Sequence, residues 1–136
     1  LGRAPVGCLG LSVDDQPYVV PVNFVYDDGR LYIHSASTGQ KIDFLQKNPK
    51  VCFEVDEVMK VEQKGESVCN YTQTFRSVII YGQARIVDDL REMQNMLKIL
   101  VEKYAGEKVA ASEIKCGRDL AVVKVEIEHI SGKERL

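Results

Sequence analysis

The chain is predicted to be mainly β, a small antiparallel barrel of six or seven strands with two main helices outside it. Three observations carry that expectation. β-branched and aromatic runs recur along most of the 136 residues, each bounded by turn-forming residues. Asp27-Asp28-Gly29 separates two of those runs and is the strongest hairpin signal in the chain, because Asp-Gly suits a type I′ turn. Only two segments show helical spacing, and they do not alternate with strands, which excludes a doubly wound parallel fold.

In order, residues 6–13 and 18–25 are predicted strands joined by Asp14-Asp15-Gln16-Pro17, a turn by composition. The Asp-Gly hairpin then pairs residues 18–26 with 30–35. Thr38 is the expected N-cap of a helix over 39–47, in which Ile42 and Leu45 are spaced to face a core. Asn48-Pro49 stops it. Residues 51–61 form a long β-run, residues 64–67 a loop, and residues 75–87 a further strand. Gly82 within that strand marks a bulge or a close backbone approach. Asp88 is the expected cap of the main helix, over 89–104, whose Leu90, Met93, Leu97, Leu100 and Val101 follow helical spacing. Gly106 fits its stop. Residues 120–130 alternate as a closing strand.

A chain of this length is one domain, able to bury an ordinary core without disulfides or metals. The net charge is −2 and the 18 basic residues are scattered. Nucleic acid and anionic membrane surfaces therefore find no electrostatic footprint here. No apolar run approaches the ~20 residues of a membrane span, and no signal peptide is evident. Cys8, Cys52, Cys69 and Cys116 are widely separated, without the paired spacing of a zinc site. They are expected to be free, structural thiols of a cytoplasmic protein, with Cys52 a small core residue and Cys69 near a polar loop.

The richest stretch for chemistry is LYIHSASTGQKIDFLQKNPKVCF, residues 31–53. A strand ending in Ser35, Ser37 and Thr38 leads into a helix with Lys41 on its first turn. Backbone amides, hydroxyls and one cation in that arrangement suit a phosphate; a solvated lysine behind a plain cap fits the spacing equally well. Pro21 lies within a strand and requires an edge, a bulge or an open ladder. Asn23 points to the same face and offers donors and acceptors. An opened ladder there frees main-chain groups for the polar edge of a heterocycle, while an ordinary edge strand is the simpler alternative. His34 ends the strand before the phosphate loop; histidine can act as acid, base or hydrogen-bond donor, though most single histidines are structural. Arg76 and Ser77 open the long central strand, where an arginine is commonly an ion-pair partner. No nucleophile elbow, P-loop or dinucleotide fingerprint is present.

Taken in order, PYVVPVNFVYDDGRLYIHSASTGQKIDFLQKNPKVCFEV, FRSVIIYGQARIVDD, the main helix and the closing strand with ISGK resemble the pyridoxamine 5′-phosphate oxidase-like split β-barrels. Within them the chain is most similar to the 5-nitroimidazole-resistance branch. The resemblance covers nearly the whole chain and implies FMN bound at a homodimer interface. It places Val20, Pro21, Val22, Asn23 and Phe24 along the isoalloxazine, with main-chain groups at its polar edge. His34, Ser35 and Ala36 would follow the ribityl chain and ring, Gln40 and Lys41 the phosphate, with Arg76 and Ser77 as further flavin contacts. Position 40 is glutamine where the vitamin B6 oxidases carry arginine, and their C-terminal segment has no counterpart after Leu136. Both departures point away from pyridoxamine phosphate as substrate. The expectation is an FMN-dependent reductase of small electron-poor acceptors such as nitroaromatics, with His34 as hydrogen-bond donor beside the flavin. A non-catalytic flavin or haem carrier is the alternative, with His34 the available axial ligand because His129 lies on the last strand.

Overall fold

A computed structural model describes all residues, 1–136. Along the chain run β1 (Gly7–Val13), β2 (Gln16–Val22), β3 (Phe24–Asp27), β4 (Arg30–Ala36), α1 (Gln40–Lys47), β5 (Lys50–Gln63), β6 (Tyr71–Ile86), α2 (Leu90–Ala105) and β7 (Leu120–Arg135). All seven strands form one antiparallel sheet in the order β2-β1-β5-β6-β7-β4-β3. Its two edges, β2 and β3, are separated in sequence by Asn23 alone. A flat sheet of seven strands would hold its edges about 29 Å apart, whereas two residue steps span at most about 7 Å. The sheet therefore curls until its edges meet at Asn23, which makes a mainly β split barrel. Counted as one bent strand, β2 and β3 give six staves; counted separately, seven.

That bend corrects the expected pairing of residues 18–26 with the following strand. The first half pairs with β1, Val22 opposite Gly7, and only the second half pairs with β4, Phe24 opposite Ile33. The partner changes at Asn23, and each half keeps one edge unpaired by the sheet.

Strand alternation sorts the side chains. Val20, Val22, Phe24, Leu31, Ile33, Phe53, Val55, Ile80, Val123 and Val125 face inward and fill the barrel. Phe24 meets Phe53 nearly edge-on, with ring centroids 4.8 Å apart. Ile42 and Leu45 of α1 join this core, as their spacing predicts. The outward residues Val25, Tyr32 and Val122 pack instead against Met96, Leu97 and Leu100 of α2. Beneath them Lys124, 7% exposed, pairs with Glu92, which also accepts a hydrogen bond from the Tyr32 hydroxyl at 3.0 Å. Burial and that hydrogen bond push the Tyr32 phenol up to about 12.

Local signals held at most positions. Asp28 and Gly29 both have positive φ, 45° and 75°, as a type I′ hairpin requires. At Gly82 a Cβ would sit 2.2 Å from the Glu126 carbonyl oxygen, where the β6–β7 register shifts. Four expectations are corrected. The first turn is only Asp14-Asp15, both at positive φ, so Pro17 lies within β2. Gly39, at φ 122°, caps α1 in place of Thr38 and offers no side chain. Asp89, not Asp88, caps α2, accepting the Glu92 amide at 2.7 Å. Cys52 is half-buried on the outward face, because its neighbours Val51 and Phe53 take the inward positions. Beyond the barrel β5, β6 and β7 continue as a three-stranded arm. No helix is long and apolar enough to cross a membrane.

Candidate functional site

The strand parity that buries Leu31 and Ile33 turns His34 to the outside of the barrel, on the same face as Tyr32. The same parity along the bent strand turns Pro21 and Asn23 outward. The first turn of α1 brings Lys41 beside them. Pro21, Val22, Asn23, His34, Lys41 and Val6 line one open depression of about 310 Å³. Asn23 and His34 also line a second, of about 270 Å³, whose other wall is Leu97, Leu100, Val101, Tyr104 and Ala105 of α2. The two depressions meet at Asn23 and His34, at the place where the bent strand changes partner.

Their electrostatics differ. Lys41 is half-buried, takes part in none of the ion pairs of the chain, and is pushed below the ordinary lysine range by burial. A partly desolvated cation without an anion beside it favours a bound anion, which restores the lost stabilisation of its charge. The α2 side has no charged lining residue. It is apolar except where Asn23, His34 and Tyr104 border it.

The remaining candidates take other positions. The Phe24 main chain is not free for a heterocycle: its N–H donates to the Tyr104 hydroxyl oxygen at 2.9 Å. Its carbonyl accepts from Tyr104 Oη at 3.1 Å and from Lys103 Nζ at 2.7 Å. The Lys103 ammonium also lies 3.8 Å from the Phe24 ring centroid, and burial lowers its pKa. The Val20 and Val22 side chains belong to the barrel side. Ser35 is 5% exposed and its hydroxyl donates to the Ala36 carbonyl at 2.8 Å, so it faces inward rather than toward Lys41. Ala36 and Gln40 are exposed nearby without lining either depression. Arg76 and Ser77 line a different cavity of about 210 Å³ with Arg3, Asp56 and Glu57, and Arg76 Nε is 3.2 Å from Glu134 Oε2. One chain thus gathers Pro21, Val22, Asn23, His34 and Lys41, and leaves Arg76 and Ser77 apart.

Sequence reasoning missed Lys103 and Tyr104. Leu97, Leu100, Val101, Tyr104 and Ala105 form a single i, i+3, i+4, i+7, i+8 stripe, a signal that marks a packing face without naming what it meets.

An antiparallel barrel split at a partner change, with an unpaired, half-buried lysine on one side of the split and an apolar wall on the other, is a split β-barrel with two adjoining depressions at its seam. The chain belongs to the pyridoxamine 5′-phosphate oxidase family, whose sequence profile matches residues 1–134. Among solved structures it is similar to a candidate 5-nitroimidazole antibiotic resistance protein of Bacteroides thetaiotaomicron. The two share 28% identity and a TM-score of 0.78 over 96% of this chain and 76% of the other. A FAD-binding protein of Mesorhizobium loti is 29% identical, with a TM-score of 0.69 over 97% and 87% of the two chains. A flavocytochrome of Azotobacter vinelandii is 25% identical, with a TM-score of 0.77 over 98% and 63%. An uncharacterised protein of Rhizobium meliloti is 48% identical over 70 residues, which span 52% of this chain and 38% of that relative.

Proposed function

We propose that the chain binds FMN in the depression at Asn23, His34 and Lys41 and reduces small electron-poor acceptors such as nitroaromatics. The observation that carries this reading is Lys41, a half-buried cation without an internal partner, in one depression with the outward polar groups of Asn23 and His34. That donor set fits a flavin mononucleotide. Lys41 would hold the phosphate, aided by Gln40 and the first amides of α1, and Pro21 and Asn23 would border the ring. When bound, the flavin would supply the hydride or electron transfer. His34 would hold a proton toward an acceptor oxygen, a contribution worth about 100-fold in rate.

A homodimer accompanies this reading. One face of β5 and β6, running from the barrel into the arm, exposes Val58, Val61, Tyr71, Ile79 and Tyr81, an apolar surface suited to a second copy. Sedimentation should give twice the chain mass; a stable monomer with full flavin affinity would overturn it.

The absorption spectrum of the purified protein should carry flavin bands. Lys41→Ala should weaken FMN about tenfold to a hundredfold, the loss of one charge-assisted contact, and leave riboflavin binding nearly unchanged. Equal loss for both ligands would assign the lysine to folding instead. A haem-binding protein is the second reading, favoured by the exposed His34 beside the apolar wall of α2 and by the likeness to a flavocytochrome. A Soret band in place of flavin bands would select it.

A further inference from the structure

We infer that the depression between His34 and α2 is the acceptor subsite, and that it selects neutral, flat aromatic molecules with one hydrogen-bond-accepting group over carboxylated ones. This rests on the reading of the Lys41 side as the flavin side. Three observations support the assignment. The subsite adjoins the Lys41 depression through Asn23 and His34, so an occupant lies next to whatever the first depression holds. Asn23 and His34 are its polar residues outside α2, while Leu97, Leu100, Val101 and Ala105 of a single helix stripe supply its apolar wall. Its volume of about 270 Å³ lies just under the range of roughly 300–1,000 Å³ usual for small-molecule sites, enough for one or two fused rings.

The wall is held in place. The Tyr104 hydroxyl is engaged by both the N–H and the carbonyl of Phe24, which fixes its ring as a border of the subsite. Lys103, the nearest cation on α2, is turned away onto the Phe24 carbonyl and ring and does not line the depression. A carboxylate entering here would lose hydration and gain no cation, a cost that a nitro group or quinone carbonyl avoids. Asn23 and His34 can instead donate to the single acceptor group of a neutral occupant.

The test uses Ala105→Trp, at an exposed position on the last turn of α2 that belongs to neither core, where the added ring occupies the depression. In the FMN-loaded protein KM for nitrobenzene should rise about tenfold or more, with FMN affinity unchanged. Wild-type protein should favour nitrobenzene over 4-nitrobenzoate, and Val101→Lys should reverse that order. Independently of turnover, nitrobenzene titrated into the oxidised protein should shift the amide resonances of residues 97–105. Shifts confined to the cavity at Arg3 and Arg76, or equal KM values for Ala105→Trp and wild type, would overturn the assignment. If FMN binds and nitrobenzene moves no α2 amide, the subsite fails while the flavin reading stands. If nitrobenzene moves those amides in a protein that takes no flavin, the flavin reading and the acceptor role both fail, and the depression is left as a binding site for neutral aromatics.

Discussion

Inside the barrel fifteen buried side chains pack without an ion pair among them, whereas the seven between the sheet and α2 share their layer with the Glu92–Lys124 pair. Both layers use opposite faces of the same strands: Leu31 and Ile33 look inward, Tyr32 outward. Apolar burial is non-directional and closes the barrel wherever complementary volumes meet. A nearly buried ion pair is directional, and leaving one partner alone is costly. It therefore sets where α2 sits on the sheet, and α2 in turn supplies the apolar wall beside His34 and the contacts that occupy the Phe24 edge. The barrel provides the frame; the polar layer positions half of the site.

The comparison breaks most visibly at Phe53. Phe53→Ala removes the ring that Phe24 meets edge-on and should cost about 3–5 kcal/mol, read as a lower urea midpoint with an unchanged slope. Glu92→Ala should cost about 3 kcal/mol, because the Lys124 ammonium is left buried without its anion. Its signature should be regional, with hydrogen exchange accelerating in α2 while β5 and β6 stay protected. Acid should mimic this. Lys124, then the Tyr32 hydroxyl, hold the Glu92 carboxyl below its ordinary value of 4.5 despite partial burial. Its stabilisation is therefore complete above that value and is lost as pH falls through the lower folded one. Loss of α2 protection only together with the barrel would contradict the proposed division. The smallest effect is expected at Asp89→Ala, which removes the N-cap of α2 and should lower stability by about 1 kcal/mol, measured by thermal melting. The same loss in a Glu92→Ala background would show that the cap acts independently of the Glu92 side chain.

The candidate site was legible in part. Pro21 required an edge, a bulge or an open ladder, and it lies in the edge strand β2, paired with Cys8 of β1; Asn23 shares its face, as alternation requires. Lys41 was recognisable from the strand, small-residue and helix order. Ser35 was misplaced because it shares the inward parity of Leu31 and Ile33, which the reading of its hydroxyl as a phosphate contact overlooked. Phe24 was expected to offer free main-chain groups, and those are claimed by Tyr104, 80 positions away. Arg76 and Ser77 belong to a strand near the site in sequence logic but line another cavity in the chain.

By itself the sequence determined whatever depends on a few adjacent residues: the Asp28-Gly29 turn with its positive φ values, the stop at Gly106 in the left-handed region, and the inward spacing of Ile42 and Leu45. Backbone preference and side-chain period are local, so they are written locally. The tertiary structure alone decided that one predicted strand would bend at Asn23 and serve two partners, and that α2 would dock across its second half. Those choices depend on hydrogen bonds and buried charges between segments far apart in sequence. Their energies become favourable only when the whole sheet has curled.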